Sequence, residues 1–258
     1  MEIILYILGG VIVLFALYQW LRVVRYSRIS RHLIAETTLQ ENHPDNPDRR
    51  ICVIGDSLWA GVGALETAES LAGRLIADLP NALVVNQAES GAVMADGIDQ
   101  LQAARDKHGD FDQVIIQLGA NDIVGLTSIS QATDQLQKLL NIAHKIAPDV
   151  AYMVSGSVGF VPLFIGPVDW FYTAVTRFYL PRLYAVAQVT DTLYIDFYRP
   201  RSQDPFYMNP DTYYAPDLFH PSGAGYGLWY EKCQENLQCF AYDKKRLTSV
   251  EEITQESD

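Results

Sequence analysis

The chain has 258 residues, 49% of them hydrophobic and 19% charged, which is enough apolar material for one large packed domain with short appendages. Its formal net charge of −12 excludes nucleic acid as the main partner, because phosphate neutralisation needs clustered Lys and Arg. Cys52, Cys233 and Cys239 are too few and too irregular for a disulfide framework, and no CxxC or HExxH pattern supports a zinc site.

Ile3 to Leu21 carries no charged side chain, and Gln19 is its one strongly polar residue. As a helix this stretch reaches about 28 Å, close to the hydrocarbon thickness of a bilayer. Tyr18 and Trp20 sit at its end, followed at once by Arg22, Arg25, Arg28 and Arg31. A cleaved signal peptide reverses this order, with positive charge first and a small-residue cleavage site after. A core helix would show a polar face, which this segment lacks. The sequence therefore predicts a transmembrane anchor over 1–24, with a basic exit helix and linker over 25–49. The positive-inside preference places the N-terminus outside and the following domain on the cytoplasmic side, as a single-pass membrane protein.

Asn42 to Pro47 is turn chemistry with two prolines, and His43 reads as a solvated linker residue. From residue 50 to 241 the pattern is that of one α/β domain. Ile51–Ile54 reads as a buried parallel strand ending in Gly55, and residues 66–79 as a helix. Leu83–Val85 is a second strand, followed by a helix over 93–107; Val114–Leu118 is a third, followed by a helix over 129–146. Val150–Ser155 and Leu193–Phe197 give strands four and five around a helix over 168–189, and a last helix spans about 222–237. Residues 242–258 read as a charged flexible tail. Such alternation means a parallel sheet covered on both faces, with ligands bound beyond the carboxyl ends of its strands.

Four polar clusters fall where such a site requires them. Gly55-Asp56-Ser57-Leu58 follows strand one, and Asn86 to Gly91 follows strand two. Gly119-Ala120-Asn121-Asp122 follows strand three, and Asp217-Leu218-Phe219-His220-Pro221 precedes the final helix. Ser57 sits in a tight turn entering a helix, where the dipole and free N–H groups favour developing negative charge. Asp217 and His220 are three apart, so the carboxylate can accept from Nδ1 while Nε2 faces the serine. Gly91 allows close backbone approach, Asn121 offers a side-chain amide, and the Ser57 N–H is a further donor.

In order, these blocks resemble those of the SGNH (GDSL) hydrolase family, and the match covers about residues 50–240. The resemblance implies a three-layer flavodoxin-like α/β/α fold with a five-stranded parallel sheet of order 2-1-3-4-5. It further implies a catalytic triad of Ser57, His220 and Asp217, with an oxyanion hole from Ser57, Gly91 and Asn121. The flanks Gly61-Val62-Gly63-Ala64 and His220 to Tyr226 are also similar to bacterial members.

Taken singly, each block has a plain structural explanation: a helix cap for Asp56-Ser57, turn chemistry for Asn121-Asp122, a helix start at His220. Their joint occurrence at strand ends favours catalysis. Ser155-Gly156-Ser157-Val158-Gly159 misses the G-x-S-x-G elbow because Ser155 occupies the first glycine position. His32, His108 and His144 read as surface residues, and Asp56 and Asp122 as loop-holding acids.

The sequence thus predicts a serine hydrolase of carboxylic esters or thioesters that needs no metal or organic cofactor. Its substrate is expected to be a small or lipidic acyl ester, such as a lysophospholipid, near the membrane reached through the N-terminal helix. An acyltransferase to a sugar or lipid alcohol, and a non-catalytic tethered binding module, are the competing readings. The apolar stretch over 158–172 is expected to line an acyl pocket, rest on the membrane or pack on the core.

Overall fold

A computed structural model of the chain describes residues 1–235. Helix α1 (Glu2–Glu36) runs unbroken through the apolar stretch and the arginines beyond it. It is long and apolar enough to cross a bilayer, and almost none of its most apolar window is buried against protein. Its first half is exposed apart from Phe15, which lies against Gly166. From Gln19 onward one face docks on the domain, beginning with Gln19 itself, which is buried.

The domain follows as β1 (Arg49–Gly55), α2 (Ser57–Ala60), α3 (Leu71–Asp78), β2 (Ala82–Asn86), α4 (Asp96–His108) and β3 (Gln113–Gln117). Then come α5 (Ala120–Val124), α6 (Ile129–Ala143), β4 (Asp149–Val154), α7 (Pro167–Val189) and β5 (Leu193–Asp196). Two single turns, α8 (Pro205–Met208) and α9 (Pro210–Tyr213), lead to a final helix α10 over 223–235. All strand pairs are parallel, in the order β2-β1-β3-β4-β5 expected from the sequence.

Both faces of the sheet are buried, which is why the strands read as continuous apolar runs. Successive side chains still alternate. Cys52, Ile54, Val114 and Ile116 pack with α4, α6 and α7, while Ile51, Val53 and Ile115 pack with α2, α3 and α10. Cys52 is a fully buried member of this core, as its apolar surroundings suggest. Cys233 is a free, buried thiol on α10, whereas Cys239 lies outside the described residues.

Several element boundaries differ from expectation by a few residues, as with the helix expected from residue 93, which begins at Asp96; two differences have clear local causes. The helix expected over 66–79 is split: Thr67–Glu69 is a short 3₁₀ turn, and α3 begins only after Ser70, whose hydroxyl accepts from Gly73 N. The helix expected to reach residue 146 ends at Ala143, because the chain tightens into a turn that feeds β4. Part of the final helix and the tail over 242–258 lie outside the described residues.

The carboxyl ends of β1, β2 and β3 share one edge of the sheet. The four polar clusters of the sequence are gathered there.

Candidate active site

Ser57 is held by the turn at the end of β1. Asp56 is almost fully buried, and its carboxylate caps α2 by accepting from Leu58 N at 3.0 Å. Helix α2 is a single turn ending at Gly61 (φ 90°). The local free N–H groups, rather than a long macrodipole, are therefore what Ser57 has beside it. Burial pushes the Asp56 carboxyl up to about 6, despite the Leu58 N–H and the nearby His220.

His220 lies in a tight loop between α9 and α10. Asp217 Oδ1 accepts from the backbone N–H groups of both Phe219 and His220, at 3.1 and 3.0 Å, which fixes the carboxylate inside its own turn. Its second oxygen, Oδ2, stands 2.5 Å from His220 Nδ1, and His220 Nε2 is 2.9 Å from Ser57 Oγ. With Nδ1 protonated toward the carboxylate, Nε2 can accept the serine proton. Burial pushes Asp217 up, but the hydrogen bonds and charge of His220 and the Phe219 N–H outweigh it and leave Asp217 below the usual carboxylate value.

Three features shape this loop and its packing beside α2. Leu218 adopts φ 59°, an uncommon conformation for a branched residue. Gly63 (φ 97°) lies so close that a Cβ there would meet Pro221 O at 2.4 Å and Ala215 Cβ at 2.9 Å. Tyr226 on α10 adds a buried bond from its hydroxyl to Val62 O.

Asn121 sits in the first turn of α5, directly after the Gly119 bend (φ 121°). Its Nδ2 donates to Ala92 O at 2.9 Å and lies 3.5 Å from Asp56 Oδ2, tying the Gly91–Ala92 turn to the ends of β1 and β3. Gly91 (φ 91°) is exposed on that turn, and with Ser57, Asn121 and His220 it lines one cleft. Asp122 points the other way, accepting from Met94 N at 2.9 Å inside the fold.

Two cavities meet at Ser57. A small apolar one of about 60 Å³ is lined by Val158, Phe160, Phe206 and Trp229. The larger, about 490 Å³, is bounded on one side by α1. The stretch over 158–172 takes part in both: Val158 and Phe160 face the small cavity, while Leu163, Phe164 and Tyr172 face the large one. It also packs on α1, where Gln19 Nε2 donates to Leu163 O at 3.0 Å and Arg22 to Pro162 O at 2.6 Å. Trp170 and Phe171 remain exposed on the outer side.

The contribution of α1 was invisible in the sequence, where Gln19 and Arg22 read only as the end of an apolar span. The other histidines lie away from the site, and His108 Nε2 is buried with no hydrogen-bond partner among the described residues. His32 pairs with Glu36 at 3.0 Å, His43 with Glu41 at 3.3 Å and with the His108 ring, and His144 Nε2 lies 2.9 Å from Thr192 Oγ1. Among the described residues no cluster of His, Cys, Asp and Glu has the make-up of a metal site.

The model of the GDSL-like lipase/acylhydrolase family matches residues 53–228. Among solved structures the chain is similar to esterase EstA from Pseudoalteromonas sp., with a TM-score of 0.58 at 17% identity over 76% of this chain and 100% of that one. It is similar to a member of the lipolytic protein G-D-S-L family from Veillonella parvula, with a TM-score of 0.57 at 19% identity over 72% and 96% of the two chains. It is also similar to the acetylxylan esterase Axe2 from Geobacillus stearothermophilus, with a TM-score of 0.51 at 19% identity over 75% and 96%. At such identities the likeness concerns the fold. No curated protein matches the chain.

Proposed function

The chain belongs to the GDSL-like lipase/acylhydrolase family, and from that premise we propose that it hydrolyses carboxylic esters of lipidic or small acyl groups through an acyl-enzyme on Ser57. The observation that carries this reading is the continuous relay Asp217–His220–Ser57, at 2.5 and 2.9 Å, opening on a cleft. In the proposed reaction His220 Nε2 takes the Ser57 proton as Oγ attacks the ester carbonyl. The N–H groups of Ser57 and Gly91 receive the oxyanion together with the Asn121 amide, which gives up its long 3.5 Å bond to Asp56 Oδ2 to do so. The tetrahedral adduct collapses, the alcohol leaves with the proton from His220, and water repeats the sequence to release the acid.

On this reading α1 is a single-pass anchor. Support comes from its length, from the interfacial Tyr18 and Trp20, and from its docking: Gln19 and Arg22 bind the domain directly, so the helix is part of the folded unit. The arginines after the span favour a cytoplasmic catalytic domain. A C-terminal reporter enzyme active only outside the cytoplasm would reverse that orientation.

The chemical test is labelling of the full-length protein by a fluorophosphonate probe. Wild type should be labelled at Ser57 and turn over p-nitrophenyl acetate. Ser57→Ala should lose the label and at least about 10⁴-fold in kcat while melting normally. Undiminished turnover in that variant would sink the assignment.

A further inference from the structure

The cleft in front of Ser57 has an unusual wall. Gln19, Val23, Tyr26, Ser27, Ser30 and Ile34 of α1 all line it, opposite Ser57, Asn121 and His220. At 1.5 Å per residue, Gln19 to Ile34 spans about 22 Å along the helix axis, so the cleft is elongated beside the helix.

Between Gln19 at one end and Ile34 at the other, its lining passes from mainly aliphatic and aromatic side chains to three hydroxyls. At the end adjoining the apolar half of α1, Gln19 bonds Leu163 O and Phe15 lies against Gly166. There Val23, Leu163, Phe164 and Val168 present apolar surface to the cleft. Further along, Tyr26, Ser27 and Ser30 bring three hydroxyls, and none has a hydrogen-bond partner among the described residues. Serines inside a helix commonly bond back to their own backbone. These two are half-buried and left available to the cleft instead.

Charge narrows the ligand further. No Lys or Arg lines this cleft, and the chain carries a net charge of −12. The nearest cations stand outside the lining: Arg22 is bonded to Pro162 O and Leu163 O, and Arg25 lies over the Tyr26 ring, so a phosphate among the three hydroxyls would have no cation in the lining to pair with. Hydroxyl donors and acceptors beside an apolar channel suit an uncharged polyol esterified to one acyl chain.

We propose that α1 is part of the substrate site, and that Tyr26, Ser27 and Ser30 bind the polyol of a neutral single-chain ester of the monoacylglycerol type. The acyl chain lies toward Val23, Leu163 and Phe164, at the end continuous with the span, so substrate enters lengthwise from the bilayer. The inference rests on the esterase reading above. Ser57 Oγ bonds to the acyl carbonyl carbon, the bond between that carbon and the glycerol oxygen breaks, and glycerol leaves with the proton held by His220; water then adds to the acyl-enzyme, releasing the fatty acid and returning the proton to Ser57.

The test uses the full-length chain in vesicles of diether phosphocholine, which has no ester of its own to cleave. Substrates are 1-palmitoylglycerol, 1-palmitoyl-lysophosphatidic acid and p-nitrophenyl acetate. Wild type should favour 1-palmitoylglycerol over the anionic lipid by about tenfold or more. In Ser30→Trp the kcat/KM ratio of 1-palmitoylglycerol to p-nitrophenyl acetate should fall by about tenfold or more. Ala35→Trp, on an exposed part of α1 away from the cleft, should keep the wild-type ratio. If Ser30→Trp fails to fold, the double variant Ser27→Ala with Ser30→Ala replaces it and should raise KM for 1-palmitoylglycerol alone. An unchanged ratio in the folded variants, or equal turnover of the anionic lipid, would overturn the proposal. Absence of fluorophosphonate labelling in wild type would instead overturn the esterase reading itself.

Discussion

The two walls facing each other across Ser57 are built on opposite principles. On the sheet side, polar groups are committed to one another: Asp217 to two backbone N–H groups and His220, Asp56 to Leu58 N, Asn121 to Ala92 O. On the α1 side, three hydroxyls have no partner among the described residues. Proton transfer and oxyanion binding need geometry held to fractions of an ångström, and dense hydrogen bonding supplies that rigidity. A binding wall needs the reverse, because a hydrogen bond already made inside the protein is one fewer for a ligand. The contrast separates the place where chemistry is fixed from the place where substrates are told apart.

If the contrast is real, disturbing the sheet side should harm every substrate equally. The largest effect is expected at Gly63. An added Cβ would press on Pro221 O at 2.4 Å in a backbone conformation of φ 97°, so Gly63→Ala should cost about 3 kcal/mol and displace the His220 loop. Urea unfolding and fluorophosphonate labelling read both consequences, and an unchanged midpoint would mean that this wall has slack. Next is Asn121→Ala, expected to lower kcat about a hundredfold on short and long esters alike, with KM little altered. A loss confined to one chain length would make Asn121 a specificity residue and blur the distinction.

The smallest effect concerns Asp56 and sharpens the picture of how tightly this wall is sealed. Burial raises its pKa from 3.8 to about 6, so the native state binds this proton more tightly than the unfolded chain. That contribution to stability is greatest in acid and declines as pH rises through 6. Asp56→Asn removes the dependence. Its stability relative to wild type should therefore be more favourable at pH 7.5 than at pH 5 by about 1 kcal/mol. A pH-independent difference, measured by denaturation at the two values, would mean that water reaches the carboxylate.

Sequence legibility follows the same division. Ser57, Gly91 and Asn121 could be picked out because a parallel sheet dictates where strand ends meet, and chemically capable residues cluster there; Asp217 and His220 precede the last helix and stood out by their spacing of three. The alternation of Ile51, Val53 and Cys52, Ile54 between two cores likewise follows from strand geometry. The α1 wall could not be read in this way. Gln19 and Leu163 are 144 residues apart and meet through a single side-chain hydrogen bond, and no local periodicity encodes that meeting. For the same reason the stretch over 158–172 resisted assignment: its aromatic and aliphatic residues divide among a small cavity, the α1 cleft and the outer surface. Three destinations within fifteen residues leave no single hydropathy signature.

Gln19 carries one more consequence. It and Arg22 bond the carbonyls of Pro162 and Leu163, so swivelling the domain about α1 or sliding it along the helix would break those bonds. In a bilayer such a clamp would set Ser57 at one height and one azimuth, like a tool mounted on a rigid post. Inserting a single residue before Gln19 would turn that mounting by about 100° and lift it by about 1.5 Å relative to the preceding span. Encounter with substrate would then be a search in two dimensions at constant depth, governed by lateral diffusion rather than by the reach of a tether.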